Sequence, residues 1–130
     1  MKRDKLLLQL EKARGRLKEA LDLPKESPLA IDGTIQRFEF CFELAWKTIK
    51  AFLHDDGIVC NSPRESIKEA FKFKWITDEE KWLELLDARN LTTHVYDEET
   101  SLKVYDVIVK NCAVFGLLVE ALKKVATKVK

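Results

Sequence analysis

Between residues 31 and 52 the apolar positions step by four and three in alternation: Ile31, Ile35, Phe38, Phe42, Ala45, Ile49 and Phe52. That is the period of an α-helix with one face buried in a bundle, and a β-strand, whose side chains alternate every second residue, cannot produce it. The spacing predicts a helix from about Ala30 to His54, ended by Gly57. Phe40, Cys41, Leu44, Trp46 and Leu53 widen the apolar surface beyond one stripe. Such a helix is either central to the fold or faces a second chain.

The rest of the chain follows the same period. Leu6, Leu10, Ala13, Leu17 and Ala20 predict a first helix over Lys2–Leu21, and Pro24 and Pro28 mark a loop after it. Ser62-Pro63-Arg64-Glu65 is a helix start, with a capping serine, a first-turn proline and a glutamate three residues on, and its helix runs to about Phe73. Thr77-Asp78-Glu79-Glu80 starts another, which carries Trp82, Leu83, Leu85 and Leu86 to about Asn90. A last helix begins near Asp97 or Glu98 with the seam Tyr105, Ile108, Cys112, Phe115, Val119, Leu122 and Ala126. The expected fold is all-α: an antiparallel up-and-down four-helix bundle with the third helix broken in two. With no internal repeat and no long linker, residues 1–130 form one domain.

Composition narrows the class. The 130 residues are 46% hydrophobic and 35% charged, with four glycines and three prolines, as in a folded helical protein. No apolar run approaches the ~18 residues of a membrane span, and the start resembles a signal peptide only until charge returns at Glu11 and Lys12. A cytoplasmic protein is expected. Cys41, Cys60 and Cys112 lack CxxC spacing, and Cys41 and Cys112 fall on apolar faces, so buried thiols are expected rather than a disulfide. With two histidines they make a poor ligand set, so neither metal nor cofactor is expected. Net charge is +1, but residues 1–25 carry eight Lys/Arg against four Asp/Glu, and the last ten carry four lysines and no acid. These are solvated helix ends, the lysines complementing a helix dipole, or a basic patch for RNA if the termini meet.

There is no Gly-rich phosphate loop, nucleophile elbow or HExxH. Attention falls on Arg89-Asn90-Leu91-Thr92-Thr93-His94-Val95-Tyr96, between two predicted helices. If the segment is extended, His94 and Tyr96 point the same way. If helical, Arg89 shares a face with Thr93 and Asn90 with His94. Cleaving RNA without metal needs a base for the 2′-hydroxyl, an acid for the leaving oxygen and a cation for the phosphate. Histidine serves the first two near neutral pH, and arginine serves the third. One chain offers one of each, so a symmetric dimer would complete the site. Equally, Arg89 could simply pair with Asp87, Asp97, Glu98, Glu39 or Glu43, and His94 could satisfy carbonyls of a broken helix. Trp46 and the phenylalanines fit the core better than a ligand box.

The segment fits the RX4HXY motif, and with IQRFEFCFELAWKTIK, SPRESIKEAF and WLELLDARNLTTHVYDEE the chain resembles HEPN domains, in the subgroup called nucleotidyltransferase substrate-binding proteins. The likeness covers most of the chain. It implies a dimerising four-helix bundle and a separate minimal nucleotidyltransferase as partner. Members of this type act as ribonuclease toxins in toxin–antitoxin pairs. By that resemblance Arg89 clamps phosphate, His94 is the acid/base, and Tyr96 accepts AMP from the antitoxin. Asn90 and Glu43 are assigned supporting roles. A non-catalytic subunit that presents a substrate to the nucleotidyltransferase is the alternative.

Overall fold

The four-three seam lies at the centre of the molecule: Phe38, Phe42, Ala45, Ile49 and Phe52 are completely buried. The computed structural model describes residues 2–24 and 27–128. These form α1 (Lys2–Leu21), α2 (Pro28–Asp55), α3 (Pro63–Lys72), α4 (Glu79–Leu91), a 3-10 turn (Thr92–His94), α5 (Glu98–Asn111) and α6 (Ala113–Lys128), with no strand among the described residues. None of these helices is long and apolar enough to cross a membrane.

Aromatic side chains tie the helices together. Phe42 and Phe38 of α2 lie 6.3 Å from Trp82 of α4 and Phe115 of α6, and Trp82 meets Phe115 edge to face at 5.3 Å. Pairs of this kind add about 0.5–1.5 kcal/mol beyond the area they bury. Arg3 at the start of α1 pairs with Asp55 at the end of α2, while Arg37 reaches the Arg16 carbonyl and Glu19 late in α1. The two helices therefore run antiparallel. Lys123 of α6 bonds Glu11 of α1 at 2.7 Å, so these two basic helices pack side by side and the charge of Lys123 is matched by that acid.

Capping explains most boundaries and corrects several expected ones. α2 begins at Pro28, not Ala30, because Ser27 caps it and proline fits its first turn. Ser62 accepts from the Glu65 N–H as expected, while the Glu65 carboxylate reaches back to the Ser62 hydroxyl and to the Asn61 N–H, one residue before the cap. For α4 the cap is Asp78 rather than Thr77: its carboxylate accepts the Lys81 N–H, where a negative charge also suits the helix dipole. α2 and α3 both end in a left-handed residue, Gly57 (φ 81°) and Lys74 (φ 65°). In each, two N–H groups fold back onto the last turn, Ile58 to Leu53 and Gly57 to His54, Trp75 to Ala70 and Lys74 to Phe71.

The single last helix expected from the sequence is interrupted at Cys112, giving α5 and α6. Buried Asn111 donates its carboxamide to the Val107 carbonyl, the acceptor its own backbone N–H would use, and to Glu84 of α4. The next turn tightens, with Phe115 N–H bonding Cys112. All three cysteines are free thiols; Cys41 and Cys60 are buried, whereas Cys112 is only half-buried. Burial pushes the Cys41 thiol up to about 12.

Candidate functional site

α4 carries Arg89 and Asn90 in its last turn; the chain then tightens through Thr92–His94, and Tyr96 follows in the link to α5. Two β-branched threonines weaken the α-helix here. The Thr92 hydroxyl and backbone N–H both turn onto the Arg89 carbonyl, an acceptor the helix end leaves open. Asp97 closes the link by donating its N–H to the His94 carbonyl and accepting the Thr100 hydroxyl before α5 starts. Beyond Leu91 the segment is thus neither extended nor a continuation of the α-helix.

Arg89 reaches across to α2. Its Nη2 donates to Glu43 Oε2, and its Nη1 donates to Asn90 Oδ1 at 3.3 Å. The other oxygen of Glu43 accepts the Trp46 indole N–H at 3.2 Å. Trp46, Glu43, Arg89 and Asn90 therefore form one hydrogen-bonded chain that fixes the guanidinium. Both ion-pair partners are about a third exposed, at 31% and 35%, so solvent screens the pair and its role is positional more than energetic. A groove of about 370 Å³ opens here, lined by Glu39, Glu43, Arg89, Asn90, Thr92 and Thr93. Guanidinium is charged at every physiological pH and carries five donors, of which these bonds use two.

His94 and Tyr96 stand outside that lining. Both are exposed, Tyr96 at 86%, and their rings meet edge to face at 6.2 Å. Among the described residues no hydrogen bond joins Arg89 to His94. The chain thus presents two neighbouring clusters: a held cation in a groove, and an exposed imidazole–phenol pair. Glu43, one of five acids considered for Arg89, is the one that binds it; Glu39 lines the same groove. The sequence reading misses Trp46 as the second donor to Glu43. Their three-residue spacing on one helix face is the signal. Among the described residues no three His, Cys, Asp or Glu side chains gather as metal ligands.

Known proteins share this architecture. A Thermus thermophilus protein of known structure aligns with a TM-score of 0.81 at 31% identity, covering 87% of this chain and 98% of that one. A Haemophilus influenzae structure, described as revealing the fold of a substrate binding domain of a nucleotidyltransferase, aligns at 0.80 and 31% identity, over 90% of this chain and 98% of that one. A tri-AMPylated HEPN toxin of Shewanella oneidensis, solved with its MNT antitoxin, aligns at 0.75 over 94% and 96%, and at 16% identity it is a likeness of fold. In sequence, a Haemophilus influenzae protein named Probable ribonuclease HepT is 39% identical over 80 residues. That match covers 58% of this chain and 55% of the relative, so it spans about half the relative's length. Residues 5–124 match the family described as nucleotidyltransferase substrate binding protein like, and with that match running almost end to end the chain belongs to this HEPN-like family.

Proposed function

We propose that this chain is the partner of a minimal nucleotidyltransferase in a toxin–antitoxin-like pair, and that it is a metal-independent endoribonuclease silenced by AMP on Tyr96. The observation that carries this reading is the placement of Arg89, fixed by Glu43 at a groove, at the same helix end as the exposed His94–Tyr96 pair. Arg89 binds the scissile phosphate and offsets charge that builds on its oxygens. His94 takes the 2′-hydroxyl proton, and His94 of a second copy gives a proton to the leaving 5′-oxygen. Asn90 and Glu43 keep Arg89 in place.

The second copy belongs on α2. Phe40 is 59% exposed and Leu44 half-buried, and together they give α2 an apolar surface in a groove beside α1, on the same helix that carries Glu39 and Glu43. A symmetric dimer on that face brings two grooves together. We also infer that α1, α2, the α3–α4 pair and the α5–α6 pair are the four rods of an up-and-down bundle. An RNA substrate fits a cytoplasmic protein.

Purified protein in EDTA is expected to cleave RNA, and His94→Ala to lose at least about 10²-fold of that rate, the usual scale of general acid–base catalysis. Transfer of AMP from ATP to the Tyr96 oxygen, with pyrophosphate leaving, adds a bulky anion beside His94 that competes for Arg89. Intact-mass measurement with the nucleotidyltransferase and ATP is expected to show AMP on the wild type and none at this site in Tyr96→Phe. A second reading, a subunit that only presents substrate, is favoured by the ion pair that already engages Arg89. RNA left intact by the isolated wild type selects it.

A further inference from the structure

A larger groove lies on the other side of Trp46. It is about 560 Å³, within the ~300–1,000 Å³ range of ligand sites, and runs between the start of α1 and the second half of α2. Leu6 and Ala51 give it an apolar floor, and Lys2, Lys47, Lys50 and His54 stand exposed around it. Its one acid, Asp55, is engaged by Arg3, whose guanidinium also covers the Phe52 ring at 4.6 Å. No carboxylate among the described residues lies within ion-pair distance of Lys2, Lys47 or Lys50. Three unmatched ammonium groups around an aromatic wall favour a polyanion that also carries flat rings.

We propose that this groove is a single-stranded RNA subsite that extends the Arg89 groove along α2. Trp46 links the two grooves: it lines the basic one, and its indole N–H holds Glu43, which lines the other and holds Arg89. A strand whose phosphate sits on Arg89 continues past Trp46 with its next phosphates against Lys47 and Lys50. Lys50 Nζ lies 5.8 Å from the Trp46 ring centre. A base that stacks on the indole replaces that contact with a stronger one and frees the ammonium for phosphate. The strand as substrate rests on the ribonuclease reading; the groove's affinity for it does not.

The test is fluorescence anisotropy of a labelled single-stranded oligoribonucleotide on the His94→Ala protein, across a salt series. Lys47→Glu with Lys50→Glu is expected to weaken binding at least tenfold. It should also flatten the log–log salt slope by roughly 1.4, at about 0.7 per lost phosphate contact on a single strand. Both lysines are exposed, so the fold stands. Trp46→Phe keeps a stacking face but loses the N–H to Glu43, and is expected to bind with less than a threefold loss. Binding indifferent to the lysine reversal overturns the proposal, as does a wild-type chain that retains ATP but no oligonucleotide. RNA bound through these lysines but never cleaved by the wild type keeps the subsite and removes the ribonuclease reading; cleavage without dependence on them does the reverse.

Discussion

At the scale of single residues, the site depends on how Arg89 is held rather than on where it sits in the sequence. Glu43 takes the guanidinium on one oxygen and the Trp46 N–H on the other, so the carboxylate cannot rotate without losing a bond. Glu43→Gln keeps the shape and removes the charge. Because the pair is partly exposed, its loss is expected to cost under about 1 kcal/mol of stability. RNA cleavage is expected to fall much further, by about 10–100-fold, since a catalytic group displaced by an ångström loses rate of that order. A thermal melt beside a cleavage assay checks both, and a large fall in melting temperature with unchanged cleavage would contradict a positioning role.

At the scale of elements, the helix ends decide the connections. Gly57 closes α2 at φ 81°, a conformation a side chain resists, with open space where an added Cβ would sit. Gly57→Ala is therefore expected to destabilise by about 1 kcal/mol through the backbone alone, lowering the melting temperature by roughly 3–5 °C. An unchanged melting temperature would mean that the α2–α3 link relaxes to another conformation. The same logic places the candidate site at a junction. α4 runs out of helix-favouring sequence at Thr92 and Thr93, and the tightened turn there leaves His94 and Tyr96 exposed.

At the scale of the whole molecule, one chain supplies one Arg89 groove and one His94, and the proposed chemistry needs two imidazoles. Phe40 and Leu44, the apolar surface of α2 beside α1, are the expected seam. The wild type is expected to sediment as a dimer, and Phe40→Glu as a monomer that keeps its helical circular dichroism but loses cleavage. A monomeric variant that still cleaves RNA would remove the composite site. A wild-type monomer would do the same.

Much of this architecture is local, and so legible in the sequence. Helix periods and caps are set by residues three or four apart, which is why α1, α3 and the α4–α5 break fall close to where the apolar spacing and the Ser62 and Asp97 signals put them. Family motifs likewise single out Arg89, His94 and Tyr96 without any geometry. Long-range packing decides the rest. The break at Cys112 sits where Asn111 meets Glu84 on another helix, and the choice of Glu43 among five candidate acids for Arg89 follows from how α4 packs on α2. Sequence spacing carries no information about which side chains meet across 46 residues. Only the packed core sets that distance.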